Sequence, residues 1–277
     1  KLHYRFMAGT KNLDFNIEMN IAVLGLGEAG SHFANDLAKI GFNVFGWDPN
    51  PKHHLHNSVH FTKSNLEAAQ NSEIIFSVNL TSVSADVAAE VLPALSEKKI
   101  YAELNTSSPD TKRTIYENLK ATGVKFADVA IMAPVPPKGI FTPMITAGPG
   151  AISLASIMQP FGLSIIPVDG DVGHAALLKL LRSIVYKGIA AVICEAMDAG
   201  KSFDQEKYIR EQICSIIGGQ DELVDRFVEG SRTHALRRIH EMDAVVEMLT
   251  NKGLNPVMSA ATKENLQKLA DNSTKGR

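Results

Sequence analysis

The sequence predicts an α/β protein in which a doubly wound parallel sheet is followed by a smaller all-α domain. From residue 20 onward, short apolar runs alternate with segments of helical period, which is the pattern of βαβ units. A glycine-rich turn joins the first apolar run to the first helical segment. After Gly170, apolar residues recur every three to four positions and no strand-like run returns.

The first strand and helix carry clear signals. Residues 21–24, Ile-Ala-Val-Leu, form a short apolar run typical of a buried strand. In the segment that follows, Phe33, Leu37 and Ile40 fall at i, i+4 and i+7 and therefore share one helix face. Gly41 then ends the helix, because glycine readily adopts the left-handed conformation of a C-terminal cap.

The later elements continue this alternation. Apolar runs predict strands over residues 43–47, 73–78, 100–104, 126–132, 144–147 and 163–168. Helical periodicity predicts helices over residues 31–40, 64–70, 82–95, 109–122 and 151–158. In the tail, helices are predicted over residues 172–199 with a stop at Gly200, 204–217, 221–252 with a possible break at Gly230, and 257–269.

Composition excludes several classes of function. The 277 residues are 45% hydrophobic and 21% charged, as in soluble globular proteins. A net charge of −2 gives no global positive field for nucleic acid or an anionic membrane. No run of eighteen apolar residues and no secretory leader pattern occurs. Cys194 and Cys214 suit neither a disulfide framework nor a zinc site, so we expect a reducing, cytoplasmic setting.

The glycine-rich turn predicts a nucleotide site. Its residues are Gly25-Leu26-Gly27-Glu28-Ala29-Gly30, a G-x-G-x-x-G pattern typical of Rossmann-type folds. Gly25 permits a tight turn, Gly27 lets a pyrophosphate approach the backbone, and Gly30 lets helix and sheet pack closely. The helix N-terminus adds free N–H groups and a partial positive charge for the phosphates.

Asp48 favours NAD as the cofactor. It ends the second strand eighteen residues beyond Gly30, where a carboxylate accepts hydrogen bonds from the adenosine ribose and repels a 2′-phosphate. NADP stays possible, because Lys52, His53 and His54 lie just downstream and can reach a phosphate. These histidines and His56 have no carboxylate or cysteine partner at ligand spacing, so we interpret them as a solvated loop and predict no metal.

The motifs divide the chain into predicted domains. Residues 19–169 are expected to form a dinucleotide-binding domain, with Asn79 included in the cofactor site. Residues 170–277 are expected to form a helical domain for substrate binding and dimerisation. Residues 1–18 show no periodicity, and we interpret them as a cloning remnant or a disordered extension ahead of a natural start at Met19.

The long predicted helix carries a candidate catalytic lysine. Lys179 stands among leucines, an unfavourable position for an ammonium group. Arg182, Ser183, Tyr186 and Lys187 follow at i+3, i+4, i+7 and i+8 and complete one polar stripe. This stripe either faces water or forms the wall of a cleft. In a cleft, burial and the nearby Arg182 would lower the lysine pKa toward neutrality and make the group a usable general acid or base.

Together these motifs resemble the β-hydroxyacid dehydrogenases, a family that includes 3-hydroxyisobutyrate and 6-phosphogluconate dehydrogenases. The resemblance covers residues 20 to about 270, and residues 231–242 look like the C-terminal domain of a shorter branch. Besides the glycine turn, it rests on Asn105-Thr106-Ser107-Ser108-Pro109, Ala133-Pro134-Val135 and Lys179. It implies that Lys179 exchanges a proton with the substrate hydroxyl while hydride passes between the adjacent carbon and the nicotinamide.

Departures from the family pattern bear on the substrate. Asn105 replaces the usual substrate-binding serine, and we expect its amide to donate, beside Thr106, to a substrate carboxylate. Pro136 and Pro137 remove two backbone N–H donors from the next motif, and Lys138 can compensate as a cation.

Three further residues complete the predicted substrate site. Ser183 stands where the family often has asparagine, and Arg182 beside it is a candidate for a second anionic group. His240-Glu241-Met242 stands where relatives carry Lys-Asp-Leu, and His240 is the predicted substrate residue of the three. His240 and Tyr186 are the next candidates for the proton carrier should Lys179 prove to be structural.

The sequence thus predicts an NAD(P)-dependent oxidoreductase acting on a small hydroxy acid, and a homodimer. One alternative is an enzyme similar to imine reductases, which usually lack the lysine. The other is a non-catalytic nucleotide-binding sensor, which loss of the lysine would have favoured. The presence of Lys179 favours alcohol chemistry over both.

Overall fold

The computed structural model describes residues 17–218 and 221–275 and confirms the predicted fold class. Its strands are β1 (Ile17–Leu24), β2 (Phe42–Trp47), β3 (Val59–Phe61), β4 (Ile74–Ser77), β5 (Ile100–Glu103), β6 (Lys125–Ile131), β7 (Met144–Ala147) and β8 (Ile165–Pro167). Within the described residues they form one sheet in the order β3-β2-β1-β4-β5-β6-β7-β8. The helices between them are α1 (Glu28–Ile40), α2 (Asn65–Gln70), α3 (Ser84–Val91), α4 (Pro109–Leu119) and α5 (Ala151–Met158).

Helices cover both faces of the sheet, so its central strands are buried on both sides. Ile21 and Val23 of β1 point into one core with α1 and α5, whereas Ala22 and Leu24 point into the other with α2, α3 and α4. All four side chains are fully buried. This is why the strand appears in the sequence as a continuous apolar run rather than an alternating one.

One strand pair departs from the predicted parallel sheet. β6 and β7 are antiparallel, with Asp128 opposite Ala147. A parallel pair needs a crossover connection, usually a helix. The connection over residues 132–143 holds only the short 3-10 turn Gly139–Phe141, so the chain turns back on itself.

Helices alone follow β8 in the described chain. They are α6 (His174–Ser202), α7 (Glu206–Ile217), α8 (Asp221–Thr233), α9 (Ala235–Asn251) and α10 (Val257–Lys275). The 29-residue α6 packs against the other four helices and also against β6 and β7. It therefore connects the helical region to the sheet.

Two glycines expected at helix breaks lie inside helices instead. Gly200 is within α6, and a Cβ there would lie 3.0 Å from the Ile209 side chain, so glycine lets α6 and α7 approach closely. Gly230 is within α8, where a Cβ would lie 3.0 Å from the Arg238 guanidinium. The chain breaks at His234 instead, between α8 and α9.

Smaller differences concern element ends. The three-residue β3 was not predicted, and α10 continues beyond residue 269. β1 begins at Ile17, so Ile17 and Glu18 are strand residues rather than part of an irregular extension. The rest of the prediction for residues 1–18 falls on residues 1–16, which lie outside the described residues.

None of the helices in residues 17–218 and 221–275 combines the length and hydropathy needed to cross a membrane. Across the same residues, no three His, Cys, Asp or Glu side chains group as they would around a metal ion.

Candidate active site

The glycine turn has the shape that a pyrophosphate requires. Gly25 has a φ of +96°, and a Cβ there would lie 2.5 Å from the carbonyl oxygen of Val78. A Cβ on Gly30 would lie 1.9 Å from the carbonyl oxygen of Gly25. At Gly27, in contrast, a Cβ would meet no atom within 4 Å. At Gly25 and Gly30 the turn is therefore packed too closely for a side chain. At Gly27 it is open, and no side chain caps the start of α1 there.

Asp48 ties the end of β2 to this turn. Its Oδ2 accepts a hydrogen bond from the Leu26 N–H at 2.8 Å, and its Oδ1 accepts one from the Asn50 N–H at 2.8 Å. Each carboxylate oxygen can accept a second hydrogen bond. The carboxylate is thus held beside the turn and can still accept from ribose hydroxyls. The residues present fit a dinucleotide cofactor.

A polar cluster lies where β4 and β5 end. The Asn105 Nδ2 donates to the Glu103 carboxylate and to the Asn79 Oδ1 at 3.1 Å. The Asn79 Nδ2 in turn donates to the Ser77 hydroxyl at 3.0 Å. Parallel strands end at the same edge of the sheet, which is why residues from two βα connections meet here.

The catalytic candidate lies in a small cleft next to this cluster. The Lys179 Nζ donates to the Thr106 hydroxyl at 2.6 Å, across 73 positions of sequence. The cleft is lined by Asn105, Thr106, Ser107, Lys112, Val129, Ala130, Ala176 and Lys179. Five of these follow β5 or lie on β6, two lie on α6, and Lys112 lies on α4. The polar stripe of α6 therefore forms a cleft wall at Lys179.

Burial lowers the pKa of Lys179 to about 8. The carboxylate of Glu241 opposes this shift, and the positive charges of Lys187, Lys112 and Arg237 add to it. An amine with this pKa exchanges its proton close to neutral pH, which suits a general acid or base.

A buried ion pair lies two helical turns farther along α6. Lys187 pairs with Glu241 of α9, and their side chains are only 11% and 10% exposed. Ser183 joins them, because its hydroxyl accepts from the Lys187 Nζ at 3.1 Å and lies 3.4 Å from the Glu241 Oε2. Burial alone would raise the pKa of Glu241, but the charges of Lys187 and Lys179 outweigh it and hold that pKa below its ordinary value.

A second buried charge cluster lies beneath the cleft. Lys112 of α4 forms an ion pair with Glu103, and its Nζ lies 3.4 Å from the Asp128 Oδ1. All three side chains are at most 1% exposed. Burial raises the pKa of Glu103, while Lys112 opposes that shift. The Asp128 Oδ2 accepts from the N–H groups of Gly173 (3.0 Å) and Ala176 (3.2 Å), so this carboxylate fixes the start of α6 to β6.

Besides Ser183, which lies at the ion pair, three predicted substrate residues lie away from the cleft lining. Arg182 is exposed and its guanidinium lies 5.7 Å from the centre of the Tyr186 ring. The positive charges that lower the Lys179 pKa are those of Lys187, Lys112 and Arg237 instead. Lys138 is exposed on the loop after β6. His240 is exposed on α9, and the next residue, Glu241, is the one that turns inward.

Four buried charged residues were not among the predicted site residues. They are Glu103, Lys112, Asp128 and Glu241. Two of them carried a usable signal, since Glu103 and Asp128 interrupt apolar runs that predict buried strands. A carboxylate in such a run requires a buried partner.

Comparison with known proteins identifies the first domain. Residues 20–135 match the family described as the NAD binding domain of 6-phosphogluconate dehydrogenase. This part of the chain is an NAD-binding domain of the 6-phosphogluconate dehydrogenase type. Residues 208–269 match a family described only as a domain of unknown function. The resemblance that the sequence motifs indicated is thereby confirmed.

Proteins of similar length match most of the chain. The chain is 28% identical over 250 residues to the uncharacterized 28.5 kDa protein in 7S RNA 5′ region of Methanothermus fervidus, covering 88% of this chain and 96% of that one. Its fold is similar to that of Mycobacterium tuberculosis 3-hydroxyisobutyrate dehydrogenase, at a TM-score of 0.76 and 16% identity over 93% of this chain and 95% of the other.

Imine reductases with the same fold hold either nicotinamide cofactor. The enzyme from Myxococcus stipitatus has a structure with NADP+ (TM-score 0.55, 16% identity, 91% of this chain and 94% of that one). A variant of it has a structure with NAD+ (TM-score 0.55, 16% identity, 92% and 95%). This fold is therefore compatible with either cofactor.

Proposed function

We propose that this protein is an NAD(P)-dependent oxidoreductase that interconverts a small hydroxy acid and its carbonyl form, with Lys179 as general acid/base. The observation that carries the proposal is the contact between the Lys179 Nζ and the Thr106 hydroxyl in a cleft at the carboxyl end of the sheet. A desolvated lysine held at that edge of the sheet, beside an NAD-binding domain, has the chemistry that alcohol oxidation requires.

The nicotinamide cofactor, when bound, supplies a hydride acceptor or donor. The open backbone at Gly27 and the carboxylate of Asp48 are the residues that would hold it. During oxidation, neutral Lys179 takes the proton from the substrate hydroxyl, and Thr106 keeps the Nζ oriented toward the cleft. During reduction, the ammonium form returns that proton to the carbonyl oxygen.

A screen tests this proposal. Small hydroxy acids are offered to the protein with NAD+ or NADP+, and formation of the reduced cofactor is followed by absorbance. We expect turnover with at least one three- to five-carbon hydroxy acid, and no turnover anywhere in the panel would count against the proposal. Cyclic imines with reduced cofactor, placed in the same screen, test the imine reductase alternative, and binding of cofactor without any turnover would favour a sensor.

We predict that NAD(H) binds more tightly than NADP(H). The Asp48 carboxylate lies beside the glycine turn, accepts from ribose hydroxyls and repels a 2′-phosphate. Asp48→Ala is expected to remove most of the difference, and it also loses the bond to the Leu26 N–H, so affinity for both cofactors should fall somewhat. Fluorescence titration of both reduced cofactors measures this, and tighter NADP(H) binding by the unmodified protein would direct attention to Lys52 and His53.

We also propose a homodimer, formed through an exposed apolar stripe on α6. The stripe consists of Leu181, Val185, Ile189 and Val192, spaced at i, i+4, i+8 and i+11 and between 41% and 62% exposed. Such a continuous stripe on a helix that is otherwise packed is typical of an interface with a second copy. The tail helices also form only a thin layer around α6, so a second copy would bury further apolar surface.

We predict a dimeric mass by light scattering at micromolar concentration. Val185→Glu combined with Val192→Glu should give a monomer, because two carboxylates would have to be buried at the interface. Ile152→Glu on α5 is the matched control: Ile152 is 73% exposed but lies off the stripe, and the variant should stay dimeric. A monomeric mass for the unmodified protein would refute the proposal.

A further inference from the structure

The side-chain amide of Asn105 uses both of its donors inside the fold. An amide NH2 group has two N–H donors. One donates to the Glu103 Oε1 and the other to the Asn79 Oδ1 at 3.1 Å, with the Ser77 hydroxyl 3.4 Å away. Among the described residues, no hydrogen bond uses the Asn105 Oδ1, although this residue lines the cleft. The atom left for a ligand is therefore an acceptor.

The neighbouring groups exclude the reversed orientation of this amide. Both oxygens of Glu103 face donors: Oε1 accepts from the Asn105 backbone N–H at 3.3 Å, and Oε2 faces the Lys112 ammonium. Paired with Lys112, the Glu103 carboxylate accepts hydrogen bonds and donates none, so an Asn105 Oδ1 turned toward it would meet a carboxylate oxygen without a hydrogen between them. The Asn79 Nδ2 donates to Ser77, and this leaves the Asn79 Oδ1 facing the Asn105 amide.

We propose that Asn105 selects a hydrogen-bond donor of the substrate, a hydroxyl or an ammonium group, at its position in the cleft. The amide oxygen carries partial negative charge and cannot donate, so it disfavours a carboxylate at that position. This replaces the expectation that Asn105 donates to a substrate carboxylate, as a serine hydroxyl can do by rotating. The inference deepens the proposed dehydrogenase function and rests on it only in calling the bound molecule a substrate.

Matched three-carbon ligands test this selection. The protein, saturated with NADH, is titrated with 3-aminopropan-1-ol, 1,3-propanediol and 3-hydroxypropanoate, and binding is followed by NMR. We expect the amino alcohol and the diol to bind more tightly than the carboxylate. In Asn105→Ser, whose hydroxyl can donate, the ratio of the carboxylate and amino alcohol dissociation constants should fall about tenfold. The control Asn71→Ser changes an exposed asparagine at the end of α2 and should leave the ratio unchanged.

Hydrogen exchange tests the amide orientation without any substitution. The Asn105 side-chain amide protons should exchange with solvent much more slowly than those of Asn71, because they are bonded to buried acceptors. Exchange as fast as that of Asn71, or an unchanged ligand ratio in Asn105→Ser, would overturn the proposal. Both readouts are independent of turnover, so slow exchange with the expected ratio and a failed activity screen would overturn the dehydrogenase function alone.

Discussion

Replacing Lys179 by alanine is expected to lower turnover about a hundredfold to ten-thousandfold while NAD affinity stays nearly unchanged. The lysine contacts Thr106 in the substrate cleft, whereas the groups that fit the cofactor phosphates and ribose lie at the glycine turn and at Asp48. The change therefore removes the proton carrier and leaves the cofactor site intact. Initial rates on the substrate found by the screen, and cofactor titration by fluorescence, measure the two effects separately.

The pH dependence gives an independent test of the same residue. Oxidation needs neutral Lys179, so its rate should rise as pH increases through about 8, whereas reduction needs the ammonium form and should slow over the same range. Glu241 raises the pKa of Lys179 and Lys187 lowers it. Glu241→Gln is therefore expected to move the midpoint to lower pH and Lys187→Met to higher pH. A change confined to protein stability would not move the midpoint in opposite directions.

Controls define the outcome for Lys179. Lys201→Ala changes an exposed lysine in the last turn of the same helix and should retain full activity. If Lys179→Ala kept more than about a tenth of the rate, the lysine would be structural and another group would carry the proton. Tyr186, half-buried on the same helix face, would then be the next residue to test, followed by His240.

The fold class could be predicted because it depends on local periodicity. Strands buried on both faces read as apolar runs, and packed helices repeat apolar residues every three to four positions. The antiparallel pairing of β6 and β7 was not predicted, because two apolar runs in a sequence do not show whether the strands they form are parallel or antiparallel. The helix ends expected at Gly200 and Gly230 do not occur. Glycine stands at both positions because a side chain of a neighbouring helix lies close to it in space.

The candidate site was predictable in part for the same reason. Lys179 and Thr106 meet because Thr106 follows a strand at its carboxyl end and Lys179 lies on the helix after the sheet. His240, which was predicted to bind substrate, is exposed, whereas the next residue, Glu241, faces Lys187, because neighbouring helix residues point about 100° apart. That difference depends on the rotation of α9, which only its packing against α6 determines.

Replacing Lys112 by methionine is expected to cost about 3–5 kcal/mol in the free energy of unfolding, a large share of the stability of an ordinary domain. Lys112 is 1% exposed and faces two carboxylates, Glu103 and Asp128, that are fully buried. Methionine fills a similar volume but leaves both charges without a cation. Urea unfolding measures the loss, and Lys120→Met, which removes an exposed lysine just after α4, should unfold at nearly the same urea concentration as the unmodified protein.

Charge rather than packing causes this expected loss, and two measurements separate the causes. Without Lys112, the pKa of Glu103 should rise further, so the folded variant binds more protons than the unfolded chain above the ordinary glutamate pKa of about 4.3. By linkage its stability then falls as pH rises, and the deficit should be smaller near pH 5 than near pH 8. Adding Glu103→Gln to Lys112→Met removes one of the uncompensated charges and should recover part of the loss. A deficit that is independent of pH and is deepened by the second substitution would mean that Lys112 acts by filling space between α4 and the sheet.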